Sequence, residues 1–542
     1  MDEFDYIVVG AGTAGCVLAN RLSAGANTRV LLLEAGGSDR TLWIQLPIGY
    51  GRTFFDPRVN WMYDTQAVPG LGDRSSYWPR GKVIGGSGSI NAMVHVRGQR
   101  GDFDDWAAAG NPGWAWDDVL PWFIKAEDHH HGASDWHGTG GPQHVTDITG
   151  QAHPLCQRFI ATGQALGFPV SADFNGAQAE GVGIYSINTR NGRRASTANA
   201  YLRPALKRGN LVLRTRAQAM RIRFEGRSAV GVEYRYRNQT VMAHARGEVI
   251  LAGGSVNSPQ LLQLSGIGDA ALLQSLGIVP VIGARAVGRN LQDHLAVSYF
   301  YRSAVPTLND VLWPTSGKIR AGLRYLFDRG GPLSMSVNQS GGFVRSRPDS
   351  VRADMQLYFS PVSYTQSPLS ERRLLDPDPF SAFLLSFNGC RPTSRGVLQI
   401  VSPDPFSHPS IQPNYLATEH DVQQVVIGNR LLRTLAATAP LADIITAELV
   451  PGHQIESDAE LLDDFRRRAD TVYHPTSTCM MGPDPATSVV DARLRVHGID
   501  RLRVADASVF PNITSGNTNA PTVMVAEKAA AMILADARFG QQ

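Results

Sequence analysis

Three glycine-dense stretches and one histidine carry most of the chemistry that this sequence can do. Gly10-Ala11-Gly12-Thr13-Ala14-Gly15 has the G-x-G-x-x-G spacing. The first glycine permits a tight turn, the second lets a pyrophosphate approach the backbone, and the third lets a helix pack closely on a strand. Glu34 stands 19 residues after Gly15. A carboxylate there accepts hydrogen bonds from ribose hydroxyls and repels a 2′-phosphate. A dinucleotide is therefore the expected ligand, although the loop alone does not separate FAD from NAD. A second stretch, Gly81-Lys82-Val83-Ile84-Gly85-Gly86-Ser87-Gly88-Ser89-Ile90-Asn91, offers bare backbone N–H groups to an anion or a flat ring. The third runs from Gly254 to Gly268. Histidine is the natural base for removing a hydroxyl proton, because its pKa lies near neutrality. There are 14 histidines, and residue type alone does not choose among them. His474 is notable for its Tyr-His-Pro context between two loop signals.

These residues need elements to hold them. Tyr6-Ile7-Val8-Val9 reads as a buried parallel strand, and Ala14 to Ala24 has helical spacing that stops at Gly25. Arg29 to Glu34 reads as a second buried strand, which completes a βαβ unit. Leu211 to Arg214, Ala219 to Phe224, Val230 to Tyr236 and Glu248 to Leu251 predict a small meander feeding one more buried strand. A helix is expected to start near Ser258-Pro259 and stop at Ser265-Gly266. Residues 300–470 mix strand-like pieces with a helical pattern near 420–438, and an Ala-rich helix is expected over 521–536.

Composition excludes several classes. The 542 residues are 43% hydrophobic and 18% charged, enough for a sizeable core, so a disordered chain is excluded. Lys plus Arg is 51 and Asp plus Glu is 48, a balance unlike that of a nucleic-acid binder. The cysteines at 16, 156, 390 and 479 form no C-x-x-C pair, so neither a disulfide framework nor a zinc knuckle is expected. The acidic start shows no signal peptide, and no apolar run of ~18 residues predicts a membrane span. A cytoplasmic location is expected, with peripheral membrane contact left open. His129-His130-His131, with His137 and His144, reads as a solvated loop, not a metal site. Arg190 to Arg194 reads as a solvated turn.

The chain resembles the glucose–methanol–choline family of FAD-dependent oxidoreductases, in its choline-dehydrogenase-like, bacterial alcohol oxidoreductase branch. The resemblance rests on the 81–91 and 254–268 stretches and on Gly288-Arg289-Asn290-Leu291-Gln292-Asp293-His294. It also rests on Tyr473-His474-Pro475 with Thr478 to Gly482, and on Val504 to Ser508 followed by Gly516 to Pro521. It implies an α/β fold: a discontinuous Rossmann-like FAD-binding domain with an α+β substrate-binding domain built on a β-sheet. The expected division is 1–160, 205–300 and 470–542 for FAD, and 161–204 with 301–469 for substrate. Beside Gly10, Gly12 and Gly15, the resemblance assigns Thr13, Ala14, Glu34 and Ala35 to the ADP portion, with Ala219 at the adenine. Val83, Asn91, Ala92, Met93, Val94 and Tyr473 would line the flavin, and Asp506, Ala507, Thr518 and Asn519 would close around ribityl and pyrophosphate.

Some family members attach FAD through a histidine just before the motif asparagine. Ile90 stands there, so non-covalent FAD is expected. The resemblance makes His474 the catalytic base and Asn517 its partner. A neutral amide cannot be a second base, so a single-base mechanism follows. The expected reaction is oxidation of a neutral primary alcohol to the aldehyde, with electrons passed to a quinone, another carrier or oxygen. Gln339, where choline-like relatives are taken to carry Glu, argues against a cationic substrate. The alternatives are a choline dehydrogenase or oxidase, and a non-redox flavin enzyme of the hydroxynitrile lyase or photodecarboxylase type.

Overall fold

The apolar Tyr6-Ile7-Val8-Val9 run ends strand β1 (Asp2–Val9), and helix α1 (Thr13–Leu22) returns the chain to a parallel β2 (Val30–Glu34). A computed structural model describes residues 2–365 and 374–539 of the chain. All five residues of β2 are buried, as a strand covered on both faces requires. β3 (Leu211–Thr215) adds in parallel to the far edge of β2. On the other side of β1, an antiparallel meander of β4 (Ala217–Glu225), β5 (Ser228–Tyr236) and β6 (Gln239–Leu251) joins through β6, which runs parallel to β1. The last residues of β6, Val249 to Leu251, pair with β1 on one edge and with β7 (Leu502–Val504) on the other. The seven strands run β3-β2-β1-β6-β5-β4, with β7 beside β6. The segment at Leu211 is therefore not part of the meander. Its apolar run pairs with Val30 to Leu33, and such a run looks the same in sequence at either edge.

Helix α2 (Gly254–Leu264) follows β6 and begins before the expected Ser258-Pro259, so Pro259 lies inside it. A proline there has no N–H for the carbonyl four residues back. That carbonyl belongs to Ser255, and the Thr478 hydroxyl donates to it at 2.7 Å. A side chain from a distant motif thus makes an internal proline tolerable. Helix α3 (Asn519–Phe539) packs on α1, where Arg21 forms a bidentate pair with the buried Glu527.

A second sheet is antiparallel throughout. Its strands run in the order Ile445–Val450, Leu295–Ser303, Ala382–Gly389, Met355–Ser360, Ser340–Val344 and Gly181–Ile184. The short Asp470–Thr471 strand pairs with the start of Leu295–Ser303. Successive residues face opposite ways. Tyr299, Phe359, Phe383 and Phe387 pack into a core shared with Leu432 of the Glu419–Ala436 helix. Ser298, Phe300, Tyr358, Leu384 and Ser386 face the first sheet across a cavity. The fold is thus an α/β Rossmann-like unit roofed by a sheet-based one. Among the described residues, no helix is long and apolar enough to cross a membrane.

Two basic stretches differ from expectation. Glu127–His129 forms a parallel pair with Gln143–Val145, and His129 and His137 are buried. Glu127 draws His137 in, because a buried carboxylate must be paired, and His129 stacks on the His137 ring, while His130 and His131 stay exposed as expected. Glu127 contacts His137 Nδ1 at 2.7 Å, Arg97 at 2.7 Å and His95 Nε2 at 3.2 Å, while His137 Nε2 meets Asp173 at 2.6 Å. Arg194 is also buried. Its guanidinium donates to Ile44 O at 2.9 Å and to Asn91 Oδ1 at 2.8 Å, so the Arg190–Arg194 turn is solvated only in part.

Candidate active site

A cavity of about 600 Å³ runs from the ends of β1 and β2 to the inner face of the second sheet. At one end its wall is mostly backbone. Gly10 has φ +99°, and a Cβ there would lie 2.5 Å from Ala252 O. A Cβ on Gly15 would lie 1.8 Å from Gly10 O, so the third glycine is what lets α1 meet the strand. A Cβ on Gly12 would meet nothing nearer than 3.9 Å and would occupy the cavity itself. No side chain caps α1, so its first N–H groups are free to meet an anion. Glu34 accepts from Ala11 N at 2.9 Å and Gly36 N at 2.7 Å. Burial pushes its carboxyl up to about 7, only partly offset by those N–H groups and Lys82. A bound pair of hydroxyls would pull it back toward the carboxylate. This end fits the ADP half of FAD.

Thr13, Ala14, Ala35 and Ala219 lie on this wall, and Asn91, Ala92, Met93 and Val94 continue it. Asp506, Ala507, Thr518 and Asn519 also line the cavity, and Asn519 Oδ1 accepts from Thr13 Oγ1 at 2.9 Å. Asp506 accepts from Gly254 N at 2.8 Å and Ser258 Oγ at 2.6 Å. Gly15 stands behind the wall, as its packing role demands. Val83 is also behind it, buried with Ile44, Val59 and Ile90.

His474 and Asn517 meet at the far end, with His474 Nε2 3.1 Å from Asn517 Nδ2. Both lie on the cavity wall. His474 follows the Asp470–Thr471 strand at the edge of the second sheet, and Asn517 precedes α3, so the pair sits near the seam between the two sheets. Burial, then the nearby His294 and Arg80, hold the His474 imidazole well below its usual pKa. It is therefore neutral at neutral pH and has a lone pair to accept a proton. Its backbone N–H donates to Asp293 Oδ1 at 2.8 Å, and Asp293 also accepts from Thr471 Oγ1 and Tyr415. Met93 and Tyr473 hold φ of +64° and +68°, a costly conformation for bulky residues. Both line the cavity, and Arg80 fixes the Tyr473 carbonyl at 2.6 Å.

Around the pair the wall is aromatic and apolar: Tyr50, Phe54, Val337, Tyr358, Tyr364 and Leu374. Trp61 also lines the cavity. Phe359 and Phe387 face the other core. Gln339 is buried off the cavity, and its Oε1 accepts from His153 N at 2.7 Å. It therefore says nothing about substrate charge; its neighbour Asn338 is the residue on the wall. The lining itself does speak to charge. Its carboxylates among the described residues are Glu34, Asp506 and Asp470. The first two belong to the cofactor end, and Asp470 accepts from Ser76 Oγ and Thr471 N. Sequence reasoning passed over His294, Asp293 and Gln356, which bracket the pair. The only available signal was the Gly288–His294 motif, which carried no role.

A dinucleotide cradle opening onto a His/Asn pair defines a flavin-type oxidoreductase. Residues 4–296 match the N-terminal part, and residues 392–526 the C-terminal part, of the family described as GMC oxidoreductase. The chain is 44% identical to mitochondrial choline dehydrogenase of Homo sapiens, covering 98% of this chain and 90% of that one. It is 42% identical to an alcohol dehydrogenase (acceptor) of Pseudomonas putida, over 98% and 96%. A crystal structure of pyridoxine 4-oxidase from Mesorbium loti superposes with a TM-score of 0.88 at 33% identity, over 97% and 98%. The chain belongs to the GMC oxidoreductase family and is an FAD-dependent enzyme.

Proposed function

We propose that the protein oxidises a neutral primary alcohol, aliphatic or aryl, to the aldehyde. The carrying observation is the neutral His474 at 3.1 Å from Asn517, on the wall of the cavity that the glycine loop opens. A hydroxyl placed against both groups donates its proton to His474 Nε2 and accepts from Asn517 Nδ2. The amide then stabilises charge developing on the oxygen. FAD supplies the acceptor for the hydride that leaves the alcohol carbon. Thr13, Ala14, Glu34, Ala35 and Ala219 would hold its ADP portion, and Asn91 to Val94 its flavin. The aromatic wall keeps water from the reacting carbon.

Cofactor attachment is proposed to be non-covalent. Ile90 is buried among apolar side chains, and His95 is engaged by Glu127 and Asn188. Acid precipitation should leave the yellow colour in the supernatant. We assign the first sheet with 1–160, 205–300 and 470–542 as the FAD domain. The rest, 161–204 and 301–469, is the substrate domain. Two of these cuts fall inside the Leu155–Ala165 helix and the Leu295–Ser303 strand, which both pack in the core of the second sheet.

A choline reading is favoured by the human relative and by the aromatic wall, which could face a quaternary ammonium. Against it, the described residues place no carboxylate at the substrate end except Asp470, which is hydrogen-bonded to Ser76 and Thr471. Anaerobic titration with benzyl alcohol, straight-chain primary alcohols and choline decides. Bleaching by the neutral alcohols at lower concentration supports the proposal; preferential bleaching by choline overturns it. A yellow spectrum that none of them bleaches would favour the non-redox alternatives. Faster turnover with a soluble dye than with oxygen is expected, in line with the dehydrogenase relative.

A further inference from the structure

The two catalytic side chains lie in the middle of a run of hydrogen bonds whose ends are both backbone carbonyls. At one end, His294 Nε2 is 2.9 Å from Cys390 O, and His294 Nδ1 is 3.0 Å from His474 Nδ1. At the other, Gln356 Nε2 lies 3.3 Å from Asn517 Oδ1 and 3.4 Å from the Tyr185 hydroxyl, which donates to Leu357 O at 2.7 Å. All of these groups are buried except Asn517, which is half-buried at the cavity.

A carbonyl can only accept, so each end fixes a proton. Cys390 O requires a proton on His294 Nε2. A neutral His294 then presents a lone pair at Nδ1, so the proton between the two imidazoles belongs to His474 Nδ1. His474 Nε2 is left bare and faces Asn517. From the far end, Leu357 O takes the Tyr185 proton, so the Tyr185 oxygen accepts from Gln356. The same Gln356 amide donates to Asn517 Oδ1, which turns the Asn517 NH₂ toward His474. The two derivations meet at the 3.1 Å contact with one donor and one acceptor. Reversing either end would set two donors or two acceptors against each other.

We propose that His294 and Gln356 are positioning residues. His294 holds His474 in the Nδ1–H tautomer, and Gln356 holds Asn517 with its amide nitrogen toward the reacting oxygen. This rests on His474 being the base, as proposed above. When His474 takes the hydroxyl proton, it keeps the Nδ1–H bond to His294 and changes only at Nε2. A histidine free to tautomerise would spend part of its time with Nε2 already protonated. In that state it cannot accept.

The test is ¹⁵N NMR of histidine-labelled, FAD-loaded protein, with kinetics on the same samples. Wild type should show His474 as the Nδ1–H tautomer. His294→Leu should shift it toward Nε2–H and lower kcat about 10²-fold, with flavin absorbance and KM little changed. His294→Asn restores an acceptor near the former Nδ1 and should recover most of the lost kcat. Gln356→Leu should lower kcat about tenfold without altering the His474 tautomer. Nε2–H in wild type overturns the proposal, as does equal impairment of the Leu and Asn variants. If His294→Leu does not fold, the wild-type tautomer and the Asn variant still decide. Wild-type protein that shows Nδ1–H yet oxidises no alcohol contradicts the functional reading and leaves the tautomer assignment standing.

Discussion

The two ends of the cavity are built from different materials. At the cofactor end the wall is glycine backbone, helix N–H groups and two buried carboxylates, Glu34 and Asp506. At the substrate end it is side chains, held by other side chains from strands far apart in the chain. The difference separates what fails when each end is altered. Backbone cannot be repacked, so the cofactor end should be all-or-none. A side-chain relay can lose one link and still hold its ligand, so the substrate end should be graded.

The largest effect is expected from Gly15→Ala. Its Cβ would overlap the Gly10 carbonyl at 1.8 Å, and no flexible group is available to give way. Purified variant should carry essentially no flavin by its visible spectrum. A fully yellow variant would break the contrast between the two ends. Thr478→Val tests a link between them. It removes the hydroxyl that serves the carbonyl Pro259 leaves open, at a cost of about 1–3 kcal/mol for a buried unpaired acceptor. Thermal unfolding should show a lower Tm with flavin retained. An unchanged Tm would mean the α2 turn finds another donor.

The smallest effect is a pH dependence of stability. Burial alone would lower the His137 pKa, but its bonds to Asp173 and Glu127 raise it to about 9 from an ordinary 6.5. A raised folded pKa gives stability that is fully present below about 6.5 and is lost as pH rises through about 9. Tm should therefore fall between pH 7 and pH 10, and less so in His137→Gln. Glu127, held well below the usual carboxylate range by His137, His95 and Arg97 despite its burial, contributes the opposite loss, which begins as pH falls below the ordinary 4.5 and grows toward stronger acid.

The same contrast explains what could be read in the sequence. The β1-α1-β2 unit and Gly10-x-Gly12-x-x-Gly15 were legible, because glycine spacing and apolar periodicity are local statements about backbone. His474 and Asn517 were legible only through the resemblance, since nothing local distinguishes one histidine among the 14. His294 and Gln356 were not legible, because their roles exist only when strands far apart in sequence come together. Pro259 misled as a helix start for the same reason: its remedy, Thr478, is distant. The Gln339 reading failed on side-chain direction, since adjacent residues Asn338 and Gln339 face different compartments. The His129–His137 stretch was read correctly in its middle, where His130 and His131 are exposed, and wrongly at its ends, where Glu127 pairs with His137 and His129 stacks on that ring.

The central claim is that His474 is the base of an alcohol-oxidising flavin site. The most direct measurement is anaerobic rapid mixing of a primary alcohol with wild type and His474→Ala, each loaded with FAD. The account predicts prompt bleaching of wild type. In the variant it predicts an intact oxidised spectrum that bleaches about 10³-fold more slowly, the range expected on losing a general base. Equal bleaching of the two proteins would contradict it.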